Sequence, residues 1–250
     1  MAIIEEAWVG FYGRRAEVTL PGTCEGCGKH LPLTAFDTRE WVRLGPLPVF
    51  PLWAWRFYDV CPLCGHGQRM KLAEYRHWAR QQAASRRDAL DAEPGCLGVR
   101  LDLAWHLYGL GLMYDALATL APVLYDDDPP AAVRHCAGVA LRTLGRHAEA
   151  LAQLVAAVEQ EPSEAAYRLD LARVLRARRS GLAAAAEQLE AAAEIAPGAA
   201  EVWIELAELR THSHDTTGAQ AAWLKAVGLQ PELRHAPLYR GLIEQVLGRD

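Results

Sequence analysis

LGRHAEALAQLVAAVEQEP, residues 144–162, decides how the larger part of this chain folds. A Leu-Gly turn leads into a run with Ala150, Leu154 and Ala157 at helical spacing, and Pro162 closes it. The same punctuation returns along the chain. Pro162, Pro197 and Pro231 stand 35 and 34 residues apart, and Asp128, before Pro129, lies 34 earlier. On that period Ala116, Ala150, Ala185 and Ala219 coincide, as do Leu120, Leu154, Leu189 and Trp223, then Val123, Ala157, Ala192 and Ala226. In the first half of each unit Ala104, Gly138, Ala172 and Ala207 align, preceded by Leu103, Ala137, Leu171 and Leu206. Small residues recur where two helices must approach closely, and large ones where a hole must be filled. Four units are expected, at 98–129, 132–163, 165–198 and 200–231, with a capping helix at 233–247. The third carries one inserted residue near Arg178–Gly181.

This pattern, together with WIELAEL from Trp203, resembles the tetratricopeptide repeat (TPR) family, a 34-residue helix–turn–helix unit. The resemblance implies an all-α solenoid over 96–250 whose first helices line a curved groove. Carried over by position, that groove would show Trp105 and Tyr108, then His135 and Arg142, then Arg173 and Arg176, then Glu208. The arginines suggest a carboxylate-bearing or acidic peptide or protein partner, with the aromatics as an apolar anchor. The family's clamp for chaperone C-termini is missing: Leu101, Trp105, His135 and Val139 fill its places.

The amino-terminal part has a different grammar. TCEGCGKH from Thr23 and DVCPLCGHG from Asp59 each hold a Cys-x-x-Cys followed by glycine. Each such turn folds two sulfurs toward one point, and four thiolates suit tetrahedral zinc. Cys24, Cys27, Cys61 and Cys64 are therefore expected to ligate a metal, with Gly28 and Gly65 at positive φ. Four cysteines leave no open coordination position, so the site is read as structural. Around them, Trp8–Tyr12 and Ala16–Leu20 read as a hairpin turning at Gly13-Arg14, Thr34–Leu44 and Trp53–Val60 as strands, and GPLPVFP (45–51) as an extended connector.

The layout, from CEGCG through REWVRL and PVFP to CPLCG, looks like the zinc-ribbon family of largely uncharacterised bacterial proteins and covers about residues 3–75. The second knuckle also resembles that of rubredoxin, which would place iron in the cage and make the protein an electron carrier. KHLPLT after the first knuckle departs from rubredoxins. Cys96 and Cys136 read as small hydrophobes.

The expected class is thus α+β and multidomain: a β-rich zinc ribbon at 1–66, a basic connecting helix at 67–95 ended by Pro94-Gly95, and the solenoid. The connector holds Arg69, Lys71, Arg76, Arg80, Arg86 and Arg87 against Glu74, with Tyr75 and Trp78 interleaved. It either contacts nucleic acid or packs Trp78 on the solenoid with its arginines in water. HSHD (212–215) falls at a helix–helix turn, where Asp215 would cap the next helix. The acidic run Asp126–Asp128 reads as a loop between repeats.

A 51% hydrophobic, 23% charged composition is that of a folded chain, and a net charge of −5 argues against a nucleic-acid binder acting through its whole surface. Glu5 and Glu6 interrupt the apolar start, unlike a signal peptide. Leu44–Trp55 is short and proline-rich, and Leu103–Tyr125 carries Asp115 at its middle, so neither reads as a membrane span. A cytoplasmic location is expected. The sequence holds no phosphate-binding glycine loop, no HExxH and no nucleophile elbow. The expectation is a non-enzymatic interaction scaffold, with a nucleic-acid-associated regulator or an electron carrier as alternatives.

Overall fold

The computed structural model describes residues 9–44, 47–177, 181–235 and 239–247. The chain divides into two compact units, Met1–Leu120 and Ala121–Asp250.

The first unit opens with four antiparallel strands in the order β1 (Val9–Thr23), β2 (His30–Leu44), β3 (Leu47–Val60) and β4 (Gln68–Lys71). The hairpin expected at Gly13-Arg14 is absent. β1 is one strand that pairs with β2 from Val9↔Val42 to Thr23↔His30, with register shifts between Tyr12 and Arg15 and between Arg15 and Val18. Gly13 (φ 73°) and Ala16 (φ 48°) sit at those shifts. Positive φ there inserts extra residues as bulges, because β2 is long enough to pair with both halves. Trp8 lies outside the described residues.

The expected connector is also strand. Pro48 pairs with Arg43 and Pro51 with Trp41. Proline is tolerated because β4 covers β3 only from Trp55 to Tyr58, so the outer edge at Pro48 and Pro51 has no ladder to break. Gln68–Lys71, read from the sequence as the beginning of a helix, forms that edge strand instead. The basic segment then continues as two helices, α1 (Leu72–Gln82) and α2 (Ala84–Ala92).

One sheet face is an aromatic cluster: Phe11 meets Trp55 and Phe57 edge-on, and Phe57 stacks on Phe36 with centroids 5.4 Å apart. From the other face Arg56, 1% exposed, donates to the Ala16 carbonyl (3.0 Å) and to Asp37 (2.8 Å). Its guanidinium reaches the turn between α3 (Leu97–Gly109) and α4 (Met113–Leu124). A Cβ on Gly111 there (φ 75°) would fall 2.5 Å from Arg56 Nη2. Tyr75 and Ala79 of α1 pack with Leu103 and Leu107 of α3, and Trp78 joins them.

The second unit holds three helical pairs: α5 (Ala131–Thr143) with α6 (His147–Gln160), α7 (Ala165–Arg176) with α8 (Leu182–Ile195), and α9 (Ala200–His212) with α10 (Thr216–Leu229). The phased positions are where the helices meet. Ala150, Ala185, Ala219, Leu154, Leu189, Trp223, Ala172 and Ala207 are all buried. A Cβ on Gly138 would lie 2.6 Å from Leu154 Cγ, so glycine is what lets α5 and α6 close to this distance. Asp215 caps α10 as expected, accepting from the Gly218 N–H at 2.9 Å. Of the expected final helix, 233–235 belong to a 3-10 turn (Pro231–His235) and Arg240–Leu247 form α11, while residues 236–238 lie outside the described residues. Residues 178–180 of the third unit's insertion lie outside the described residues.

A second period ties the loops to the helices. Arg100, Arg134 and Arg168 stand 34 apart. Each donates to the carbonyl of a loop proline before its helix (Pro94, Pro129, Pro162) at 2.7–3.1 Å. In the fourth unit Trp203 Nε1 donates to the Pro197 carbonyl at 2.9 Å. The same arginines reach a second-helix acceptor: the Thr119 carbonyl, Gln153 and Gln188. They tie each loop to its own helix pair and satisfy carbonyls that no helix ladder serves.

Candidate functional site

The cysteines lie at the ends of two hairpins. β1 ends at Thr23 and β2 begins at His30, while β3 ends at Val60 and β4 begins at Gln68. The two turns are built alike. Cys24 N–H donates to the Lys29 carbonyl (2.9 Å) and Gly28 N–H to the Cys24 carbonyl (2.8 Å). Cys61 donates to His66 (2.7 Å) and Gly65 to Cys61 (3.0 Å) in the same way. Gly28 (φ 69°) and Gly65 (φ 73°) take the left-handed conformation these loops require.

The loops bring Cys24, Cys27, Cys61 and Cys64 together with all four sulfurs within 4.8 Å of one another. Cys24 Sγ lies 3.6 Å from Cys64 Sγ, and Cys27 Sγ 3.8 Å from Cys61 Sγ. Zinc–sulfur bonds of about 2.3 Å in a tetrahedron demand sulfur separations of about 3.8 Å, so this set fits a single ion. Gly26 N–H donates to Cys24 Sγ at 3.3 Å. Protons are held unequally among the four thiols. Burial opposes ionisation of Cys24, but N–H groups of Cys27 and Gly26 and the neighbouring thiols outweigh it and bring it down to about 6. At Cys64 a backbone N–H favours the thiolate, yet desolvation and the adjoining sulfurs push it up to about 12. A bound divalent cation removes that asymmetry, because coordinated thiols ionise outright. Burial pushes the Cys136 thiol up to about 12, which leaves it an apolar core group.

The residues assigned to a groove fall in both units. In the first, Trp105 and Tyr108 meet edge-on at 5.7 Å; Trp105 is half-buried and Tyr108 only 5% exposed. In the second, His135, Arg142, Arg173 and Arg176 gather in one ionic network across α5, α7 and α9. Its hub is buried Asp170, absent from the sequence reading. His135 Nε2 lies 2.9 Å from Asp170 Oδ2, Arg173 Nη1 3.1 Å from Oδ1, and Arg142 Nη2 3.9 Å from Oδ1. Burial would raise the Asp170 carboxyl, but the His135 hydrogen bond and the charges of Arg173 and Arg142 hold it well below the usual carboxylate range. Arg173 also pairs with Glu201 and Glu205, and Arg176 with Glu205 and Glu208. The arginines thus carry carboxylate partners from the next first helix. Arg142 is the least engaged, its Nε buried with no hydrogen-bond partner among the described residues. Asp170 and Glu205, 35 residues apart like Ala172 and Ala207, stand at equivalent places in their units beside these arginines, a signal present in the sequence.

Half of the connector's cations pair with carboxylates inside the first unit. Arg80 and Arg87 pair with Asp115, and Arg86 with Asp102. Arg69 lies over Phe11 and Trp55, and Lys71 over Trp53.

The helical part has the fold of the TPR proteins. Among solved structures it is similar to MamA from Desulfovibrio magneticus RS-1 (18% identity, TM-score 0.52, covering 64% of this chain and 94% of that one). It is also similar to YrrB, described as a TPR protein with an unusual peptide-binding site (19%, TM-score 0.51, 66% and 84%), and to yeast Tom70 (17%, TM-score 0.55, 68% and 37%). No family model matches the sequence, and no match is found among curated proteins. No described helix is long and apolar enough to cross a membrane.

Proposed function

We propose that this chain is a non-enzymatic interaction scaffold. Its helical repeats grip a protein or peptide along the first helices, and a zinc ion held by Cys24, Cys27, Cys61 and Cys64 fixes the β-rich module as a second contact surface. The observation that carries the reading is the ionic row from His135 through Asp170, Arg173 and Glu205 to Arg176 and Glu208. Such a row holds neighbouring repeats in register and still presents charge to a partner. Arg142, a quarter exposed and 3.9 Å from Asp170, is the best-placed group for a partner carboxylate, while Arg176 would exchange Glu208 for it. Trp105 supplies an apolar contact in the first unit.

The closed four-cysteine set supports a structural ion, since no ligand position remains for substrate or water. Pairing of Arg80, Arg86 and Arg87 with carboxylates lowers the connector's free charge and favours the scaffold over a nucleic-acid regulator. Nothing in the knuckles selects iron, and metal content separates zinc from a rubredoxin-like centre.

Affinity capture followed by mass spectrometry tests the groove. Arg142→Glu with Arg176→Glu, shown by circular dichroism to stay folded, should lose a defined set of captured proteins. An unchanged profile refutes the assignment.

A further inference from the structure

A cleft of about 430 Å3 opens on the first unit, lined by residues of β1, β2, β3 and the first turns of α1 and by none of the four cysteines. Its volume falls within the range of small-molecule sites, about 300–1,000 Å3. The bulge at Gly13 and the small side chain of Ala54 leave it unfilled. Tyr12 and Arg39 are register partners across β1 and β2, and Trp41 is two residues beyond Arg39 on the same side of the strand. Arg15 comes from β1, and Arg76 from α1, one helical turn after Leu72.

The cleft gathers its charge from separate elements. Elsewhere in the described residues Arg56, Arg80, Arg86, Arg87, Arg142, Arg146, Arg173, Arg176 and Arg210 lie within ion-pair distance of carboxylates, and Arg100, Arg134 and Arg168 are held by loop carbonyls. Arg15, Arg39 and Arg76 have no carboxylate partner among those residues. The one acid lining the cleft, Asp37, is already bonded to buried Arg56 at 2.8 Å. Three exposed arginines from three elements thus line one cleft beside two half-buried aromatic rings, in a protein of net charge −5. Guanidinium forks match phosphate oxygens, and tyrosine and tryptophan faces accept a planar ring.

The geometry points to a binding site for a small phosphorylated compound bearing an aromatic ring, of mononucleotide size, with Arg15, Arg39 and Arg76 on the phosphate and Tyr12 and Trp41 on the ring. This site uses none of the metal-binding cysteines and none of the residues of the proposed groove.

Calorimetric titration of the full chain with adenosine 5′-monophosphate tests it, with inorganic phosphate, adenosine and a 5′-phosphorylated oligothymidylate as comparison ligands. The nucleotide should bind saturably, and phosphate or adenosine alone at least about tenfold more weakly, because each omits half of the recognition. Arg39→Ala and Arg76→Ala should each weaken binding about tenfold or more, the scale of one charged hydrogen bond. Circular dichroism verifies that the variants are folded. Arg39→Lys, which keeps the charge and removes the fork, serves if an alanine variant unfolds, and should also weaken binding. Absence of nucleotide binding at millimolar concentration overturns the proposal, as does binding indifferent to all of these variants or phosphate binding as tightly as the nucleotide. An oligonucleotide that binds far more tightly than the mononucleotide, with affinity rising with length, replaces the free nucleotide by a strand and overturns the small-ligand assignment.

Discussion

Adding one methyl group at Gly138 tests how closely the second helical pair is packed. The new Cβ would lie 2.6 Å from Leu154 Cγ and 3.0 Å from Cδ2, against a comfortable carbon–carbon separation of about 3.5–4.0 Å. Leu154 is fully buried and cannot swing into solvent, so α5 and α6 must separate by roughly an ångström. Overpacking of this kind costs about 1–3 kcal/mol, while replacing a mid-helix glycine by alanine returns about 1 kcal/mol. Gly138→Ala alone should therefore be neutral to about 2 kcal/mol destabilising. Leu154→Ala alone should cost about 2–5 kcal/mol. With Leu154 already truncated the clash is gone, and Gly138→Ala should stabilise by about 1 kcal/mol. The sign inverts, giving a coupling of about 1–3 kcal/mol in a double-mutant cycle. Urea denaturation of the four proteins, followed by far-ultraviolet circular dichroism, measures it. Ala104, Ala172 and Ala207 hold a methyl group at the equivalent place and are buried there, so the effect belongs to this pair's spacing. A coupling below about 0.5 kcal/mol, or a wild-type background stabilised by the full helical gain, refutes the packing argument.

Three further outcomes follow from the same structure. The purified protein should be colourless and hold zinc at one ion per chain; Cys24→Ser with Cys61→Ser should abolish binding and lower the first transition in a thermal melt, with elemental analysis as the check. Asp170→Asn strips His135 and Arg142 of their shared carboxylate while Arg173 keeps Glu201 and Glu205, so a loss of about 3 kcal/mol is expected by denaturant titration. Because the folded Asp170 carboxyl titrates below its unfolded value, its contribution is present above about pH 4 and fades as pH falls further, and Asp170→Asn should flatten that acid limb. Gly111→Ala combines left-handed strain of about 1–2 kcal/mol with a clash on Arg56, for a total of about 2–4 kcal/mol. Gly145→Ala (φ 76°), with open space around it, should show the strain alone.

Spacing alone determined the repeats and the two knuckles, because both are local devices. A helix pair must place small residues at Ala150 and Ala185 wherever the chain puts it, and two cysteines two residues apart can fold toward one ion within a single turn. Asp215 was legible as a cap for the same reason. Long-range pairing was not. Whether Gly13 turns the chain or bulges it depends on the length of β2, and Pro48 and Pro51 fit a strand only because β4 stops at Trp55. Arg142, Arg173 and Arg176 could be placed on first helices from the period, but their carboxylate partners come from other helices or another turn of the same one. Arg15, Arg39 and Arg76, far apart in the chain, face one cleft only after the sheet has bulged and α1 has packed beside it. Local chemistry is written along the chain, whereas the sign of a surface depends on which charges folding brings within a few ångströms of each other.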